Sequence, residues 1–297
     1  MPITDTNANT PAGEASLWRR IGAAVFALIF GIIFGGLLSF TINFIPLFYE
    51  NMPLRPFRDF FGAILSFVGA FIGCVIGIKG IWHISLRSFL FGSGRKCDIR
   101  TALIAGALMF AGLLAAESPS FKYFSLDNTD IPLILTNLLL CILLLWIQTT
   151  TEEILFRGFF LRIPYGNEIP KLPRGLLFAF ISSIVFMVFH LANPEVGALS
   201  FGADLILGAA SYFVGAFCMY ICNLLIGGME AGLIFHLINN FYCFFLVRAR
   251  ISALETPAIF INNAPSSNGV AAFIEEIVMY APPLIYLILK KRSAKSS

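Results

Sequence analysis

The chain has 297 residues, of which 58% are hydrophobic and only 12% are charged, and its mean hydropathy is +0.84. Soluble domains carry about 25% charged residues, so this composition excludes a soluble globular protein and a disordered one. The formal net charge is only +3, which leaves too little basic surface for a nucleic-acid-binding protein. The sequence therefore predicts an integral membrane protein.

Eight apolar stretches follow one another along the chain, and each predicts a helix that crosses the bilayer, which takes roughly 20 residues. They cover residues 21–48, 60–82, 101–116, 131–151, 175–193, 199–226, 228–247 and 270–289. The predicted fold class is an all-α polytopic membrane protein, a bundle of about eight transmembrane helices with a polar cavity inside the membrane.

The segments and the loop charges together predict the domain organisation and the topology. Residues 1–20 form a polar N-terminal tail, 21–130 the N-terminal transmembrane helices, 131–250 the catalytic core helices, and 251–297 the last transmembrane helix with a basic tail. Lys and Arg are concentrated before the first span, near 83–100, near 157–174 and in the C-terminal tail. By the positive-inside rule, eight spans place all four regions and both termini in the cytoplasm, and in a bacterium the protein would lie in the inner membrane.

The first group of polar residues stands at the end of the fourth apolar stretch, in the sequence TEEILFRG at 151–158. Glu153 and Arg157 are four residues apart, so they can pair on one helix face. Neighbouring side chains point about 100° apart, so the two acids are not expected to share a role, and Glu152 is predicted to point into the bundle. A partly desolvated carboxylate there could take a proton from water. The alternative is a helix-end cluster anchored at the lipid headgroups.

Two further groups lie in later apolar stretches. Phe186 and His190 are one turn apart in FMVFH, and His236 and Asn240 are one turn apart in HLINN. A single histidine on an apolar helix is often a core residue that only satisfies its own hydrogen bonds. His236 and Asn240 can both donate to one point in a cavity, or they can serve as polar contacts between helices.

Taken together, the three groups form a plausible hydrolytic set. In one interpretation Glu152 is the base that activates water, His190 shares that water, and the remaining pair, His236 and Asn240, donates to the oxyanion of a tetrahedral intermediate. In the other, Glu152, His190 and His236 hold one catalytic zinc with an open fourth position for water. The residues alone leave both open, so the cofactor is either none or one divalent metal.

Other acidic residues are predicted to lie outside this set. Glu275 and Glu276 form a second acid pair in the last apolar stretch, but no arginine stands one turn away. They are predicted to anchor that helix at the membrane interface. Asp204 and Glu230 flank the sixth stretch and are predicted to be loop or cavity-rim residues.

The three motifs EExxxR, FxxxH and HxxxN, here at 152–157, 186–190 and 236–240, resemble those of the CAAX-prenyl-protease and bacteriocin-processing intramembrane protease family. The resemblance implies an intramembrane endopeptidase whose cavity faces the cytoplasm. It also implies that Glu152 and His190 activate water and that His236 and Asn240 stabilise the oxyanion, with Glu153, Arg157 and Phe186 in support. The family has been described both as metalloprotease and as metal-free glutamate protease.

The resemblance implies a peptide or protein substrate at the lipid bilayer, which in eukaryotic relatives is prenylated. The alternative function is a non-catalytic bacteriocin-immunity protein or peptide-binding scaffold. Such a protein would be expected to have lost at least one of the four polar groups, and all four are present. A transporter would predict internal repeats, and none is evident.

Overall fold

In the computed structural model of this protein, the described residues are 15–52, 54–166, 168, 170, 172–252, 256–264 and 268–296, so most of the predicted N-terminal tail lies outside them. Their α-helices are α1 (Leu17–Phe40), α2 (Arg58–Ile76), α3 (Leu86–Phe91), α4 (Ile99–Glu117), α5 (Ile131–Glu152), α6 (Phe159–Tyr165), α7 (Leu172–His190), α8 (Pro194–Gly197), α9 (Ala203–Ile226), α10 (Glu230–Phe241) and α11 (Gly269–Ser296). Three short strands are β1 (Phe124–Leu126), β2 (Val247–Ala249) and β3 (Phe260–Asn262).

Seven helical stretches among the described residues are long and apolar enough to cross a membrane. They are Leu17–Phe44, Arg55–Trp82, Ile99–Tyr123, Ile131–Tyr165, Leu172–His190, Ala203–Ile226 and Gly269–Ser293. The all-α polytopic membrane fold is thus confirmed, and seven of the eight predicted segments correspond to long helices. The predicted segment 228–247 corresponds to a shorter apolar helix, Glu230–Leu246.

The outer surface of the bundle is apolar, as a protein in contact with lipid requires. Large hydrophobic side chains such as Ile32, Leu139 and Leu177 are at least half exposed. An apolar surface this extensive would be unfavourable in water. The buried interior, in contrast, contains several charged and polar residues around α5, α7 and α10.

The short helix α10 nevertheless runs from one face of the bundle to the other. At its start, Glu230 pairs with Arg95, in the loop before α4, at 2.6 Å. After α10, a π-helical turn leads into β2, which pairs in parallel with β3, and β3 pairs antiparallel with β1, which follows α4. Since α4 and α10 begin side by side and lead into one sheet, α10 crosses the same thickness of the bundle as α4.

The start of α1 and the end of α11 lie at the same face of the bundle as the starts of α4 and α10. We call this face the basic face. Lys290, near the end of α11, lies 3.3 Å from Asp98. Arg19, at the start of α1, donates to the backbone oxygen of Ile81, near the end of the helical stretch that contains α2. Three of the four basic regions that the sequence predicts to share one side of the membrane, those before the first span, near 83–100 and in the C-terminal tail, therefore do lie at one face of the fold.

The basic face is predicted to lie in the cytoplasm, and Cys97 provides a direct test. This thiol is exposed in the loop before α4, whereas the other five cysteines are buried or half-buried. A membrane-impermeant maleimide should leave Cys97 unlabelled in intact cells and label it after permeabilisation, with Cys97→Ser as the control. Desolvation and the nearby Glu230 carboxylate raise the pKa of the thiol, so labelling should be done near pH 8.5, where more thiolate is present. Labelling in intact cells would invert the topology.

Glycines hold α1 and α2 in close contact. A Cβ atom on Gly35 would lie 2.5 Å from the backbone oxygen of Ser66, and a Cβ atom on Gly69 would lie 2.5 Å from the Cα atom of Gly35. Small residues at such positions allow two helix backbones to approach each other within the membrane. This close pair forms one wall of the cavity described below.

Replacing Gly35 by alanine should separate α1 from α2 and lower the thermal stability of the protein in detergent. Gly36 is the matched control, because a Cβ atom there meets no atom within 4 Å. We expect Gly35→Ala to lower the melting temperature by several degrees, since overpacking costs about 1–3 kcal/mol, and Gly36→Ala to leave it unchanged. Equal melting temperatures for the two variants would contradict the close packing.

Candidate active site

The helix that carries the first motif changes its winding at the two acids. The residue before α5, Asp130, caps it by accepting from the backbone of Leu133 at 3.4 Å. The helix remains α-helical up to Glu152, and the next six residues, Glu153–Gly158, form a π-helical turn that leads into α6. The extra residue of a π-helical turn alters the directions of the side chains, and such turns are frequent at functional sites.

The imidazole ring of His236 bridges the two adjacent acids. Its Nδ1 atom lies 2.9 Å from Glu153 Oε1, and its Nε2 atom lies 3.3 Å from Glu152 Oε2. Glu152 and Glu153 therefore share a partner, although neighbouring side chains of a helix point in different directions. The physical reason is that an imidazole has a nitrogen on each of two edges, so one ring can reach two carboxylates that point in different directions.

Glu153 also pairs with Arg157, as their spacing predicts. The two side chains are 3.0 Å apart and almost completely buried, with exposed fractions of 0% and 1%. The backbone amide of Gly232 donates to Asn223 at 2.8 Å, and a Cβ atom on Gly232 would lie 2.5 Å from Glu153 Oε2. The Glu153 carboxylate therefore has room beside residue 232 only because that residue, a glycine, has no Cβ atom.

Phe186 connects the three motifs. Its ring stacks on His190 with the centroids 4.0 Å apart, and it lies edge-on to His236 at 6.2 Å. The guanidinium group of Arg157 lies over the same ring at 4.1 Å, a cation–π contact. Phe186 is thus in contact with one residue from each of the other helices that carry a motif.

The orientation of His190 is fixed by its own helix. Its Nδ1 atom lies 2.8 Å from the backbone oxygen of Phe186. A carbonyl oxygen can only accept, so the Nδ1–H group donates and the neutral ring carries its lone pair on Nε2. No hydrogen bond between His190 and Glu152 is found within the described ranges, although both side chains line the same cavity.

A polar group next to His190 was missed in the sequence. The ring of Tyr212, from α9, packs against His190 with the centroids 4.9 Å apart. Its hydroxyl group donates to Glu195 Oε1 at 2.7 Å, and the amide group of Asn193 donates to the same oxygen at 3.1 Å. Tyr212 lies within an apolar run, where nothing in the sequence distinguishes it from a core aromatic residue.

All four predicted catalytic residues meet at one cavity of about 920 Å³. Glu152 comes from α5, His190 from α7, and His236 with Asn240 from α10. Gln148, one turn before Glu152, donates to its Oε1 atom at 3.4 Å. Residues of α1 and α2 close one side of the cavity, so the polar groups lie within the membrane bundle.

The other acidic residues divide into two groups. Glu276 lines the cavity, so the prediction that it anchors α11 at the interface is wrong; the rotation of α11 about its axis turns it towards α9. Its neighbour Glu275 is not among the cavity residues. Glu230 pairs with Arg95, and Asp204 accepts from the backbone of Gly269 at 2.5 Å, so these two acids hold the helices together away from the cavity.

The three residues proposed as zinc ligands do not fit a metal site. No group of three His, Cys, Asp or Glu side chains in the described part of the chain could hold a metal ion. Two of the required ligand atoms, Glu152 Oε2 and His236 Nε2, face each other at hydrogen-bonding distance. Two ligands that each lie about 2.0–2.2 Å from a tetrahedral zinc ion are themselves about this far apart, so what the described residues lack is a third ligand that completes the group.

Residues 133–242 match the family model described as type II CAAX prenyl endopeptidase Rce1-like. The matched range contains all three motifs and extends from α5 to the end of α10, so it confirms the family resemblance. The range excludes α1, α2, α4 and α11. No curated protein and no solved structure matches the chain.

Proposed function

We propose that this protein is an intramembrane endopeptidase, in which Glu152 activates water for the hydrolysis of a peptide bond. The observation that carries the proposal is the convergence of Glu152, His190, His236 and Asn240 on one cavity from three helices. The family match supports a CAAX-type protease. A non-catalytic scaffold would not need all four of these groups to line one cavity.

In the first step, Glu152 accepts a proton from water while the water oxygen attacks the carbonyl carbon of the substrate. His190 helps to hold that water, because its Nε2 lone pair remains available. In the second step, the tetrahedral intermediate collapses and the C–N bond breaks. Glu152 returns the proton to the leaving nitrogen, so the products are a carboxylic acid and an amine, which become a carboxylate and an ammonium group by proton transfer.

His236 and Asn240 supply the donors for the oxyanion. An ionised carboxylate only accepts hydrogen bonds, so His236 uses an N–H group towards each of its two acids when both are ionised. The Nε2–H group can then donate to the oxyanion when substrate enters beside Glu152. The side-chain amide of Asn240, one turn further along α10, provides a second donor. Loss of one such donor typically costs about 100- to 1,000-fold in rate.

The walls of the cavity suggest the kind of substrate. The surfaces that α1 and α2 contribute are mostly apolar and include Leu28, Ile32, Ala63 and Phe67. We expect a hydrophobic peptide segment at the membrane, with or without an attached lipid chain, to bind against these walls, because burial of apolar groups is favourable. The family resemblance implies that the site is reached from the cytoplasm.

The proposal is tested by incubating the purified protein, reconstituted in nanodiscs, with a library of hydrophobic peptides. Mass spectrometry should detect new peptide termini with the unmodified protein and none with His190→Ala, since that variant lacks the group that holds the water. Folding of the variant is checked by size-exclusion chromatography and thermal stability. Binding of peptides without new termini would favour the scaffold instead.

Removal of metal should leave the activity unchanged. Because no group of three His, Cys, Asp or Glu side chains among the described residues could hold a metal ion, we expect cleavage to persist after treatment with 1,10-phenanthroline and dialysis. Metal content is measured by inductively coupled plasma mass spectrometry on the same preparation. Near-stoichiometric zinc that is lost in both His190→Ala and His236→Ala, together with loss of cleavage, would contradict the metal-free mechanism.

A further inference from the structure

The cavity contains several acidic side chains but no lysine or arginine among its described lining residues. The acidic residues are three glutamates, Glu152, Glu195 and Glu276. Arg157 forms an ion pair with Glu153 and is not among the cavity residues. The proposed chemistry uses Glu152 only, so the other two carboxyl groups have no assigned function.

Glu276 is the more unusual of the two. It comes from α11, outside the range that matches the family model. Its Oε2 atom is buried and has no hydrogen-bond partner among the described residues, while part of the side chain faces the cavity. A Cβ atom on Gly215, in α9, would lie 2.5 Å from this oxygen, so the glycine leaves space for the carboxyl group.

Glu195, which also lines the cavity, has a second unpartnered oxygen. Its Oε1 atom accepts hydrogen bonds from Tyr212 and Asn193, whereas Oε2 is buried and has no partner within the described residues. Both Glu195 and Glu276 lie close enough to Cys243 to act on it electrostatically. Because Tyr212 bonds to Glu195 and packs on His190, Glu195 is near the proposed reaction centre.

Buried polar atoms in folded proteins almost always have a hydrogen-bond partner, and a buried carboxylate without a donor is costly. Since no lysine or arginine is among the described residues of the cavity wall, a cationic donor that enters the cavity with the substrate would satisfy these oxygens. We propose that Glu276 and Glu195 form an acidic subsite that binds the ammonium or guanidinium group of a Lys or Arg side chain of the peptide substrate. The inference rests on the proposed function, which supplies the peptide substrate. It specifies that substrate as a hydrophobic segment with a basic residue near the scissile bond.

Peptide binding tests the subsite separately from cleavage. The Glu152→Gln protein is reconstituted in nanodiscs of zwitterionic lipid, so that neither hydrolysis nor membrane charge affects the measurement. Fluorescent hydrophobic peptides carry lysine at successive positions, and each is compared with the same peptide carrying norleucine. At one position or more, lysine should increase the affinity about tenfold or more, as expected for a charge-assisted hydrogen bond in a desolvated site.

Variants of the subsite provide the controls. Glu276→Gln, added to the Glu152→Gln protein, should reduce the lysine preference to less than twofold and leave the norleucine peptide unaffected. Glu275→Gln removes the adjacent acid, which is not among the cavity residues, and should keep the full preference. Gly215→Ala keeps both charges but displaces the Glu276 carboxyl group, so it should also weaken the lysine preference.

Two results would overturn the subsite: equal affinities for every lysine and norleucine pair, or a lysine preference that survives Glu276→Gln. The same experiments distinguish failure of the subsite from failure of the proposed peptide hydrolysis. Cleavage by the unmodified protein without lysine selectivity would contradict the subsite alone. Selective binding of lysine peptides that the unmodified protein never cleaves would support the subsite and contradict the proposed hydrolysis.

Discussion

Replacing Glu152 by glutamine should reduce peptide cleavage about a thousandfold or more, because loss of a general base typically costs about 100- to 10,000-fold and no second carboxylate can take its position beside His236. Glu153, the other acid that contacts this ring, is held by Arg157. Glutamine has nearly the same shape and can still accept from Gln148 through its amide oxygen. The protein should therefore remain folded.

The measurement is kcat/KM for one peptide selected from the library, together with the melting temperature of each variant in the same nanodiscs. Glu117→Gln is a suitable control, since this acid at the end of α4 is not among the cavity residues. It should retain cleavage within about twofold. A Glu152→Gln protein that cleaves as fast as the Glu117→Gln protein would exclude Glu152 as the base.

Replacing Arg157 by alanine should destabilise the protein by about 3–5 kcal/mol, because removal of one partner of a buried ion pair leaves an uncompensated charge. Both side chains of the pair are almost fully enclosed, and the guanidinium group also lies on the ring of Phe186. The variant should give a lower yield from membranes and a lower melting temperature in detergent.

Arg248→Ala is the matched control for this prediction. Arg248 pairs with Asp127 beside the small sheet, where the two side chains are 20% and 12% exposed. Its loss should cost about 1 kcal/mol, since a partly hydrated pair contributes less. The double variant Glu153→Gln/Arg157→Ala should recover part of the stability, because no uncompensated buried charge is then left. Equal stability of the Arg157→Ala and Arg248→Ala proteins would exclude a structural role for the buried pair.

Contacts within one helix were predictable from spacing. Glu153 and Arg157 pair at four residues, and His190 approaches the backbone of Phe186 at the same separation. These distances follow from the helix repeat, whatever surrounds the helix. Spacing did not reveal that Glu152 and Glu153 share a partner, because that partner, His236, belongs to a different helix.

The position of Glu276 shows most clearly what could not be predicted from the sequence. Glu275 and Glu276 look alike in the sequence, and about 100° of helix rotation separates their directions. Which of them enters the cavity depends on how α11 is rotated against α9, and that rotation is set by close packing at positions such as Gly215. Tyr212 was missed for a similar reason, since its contact with His190 depends on how α9 packs against α7.

The sequence by itself determined that this protein is a helical membrane protein and which three motifs carry its polar chemistry. Those properties depend on composition and on spacing within single helices. Only the tertiary structure decided that four residues from α5, α7 and α10 meet at one cavity, that α10 is a short buried crossing, and that Glu276 joins them. Each of these outcomes depends on the rotation and depth of one helix against another, which is decided by side-chain packing between segments far apart in the chain.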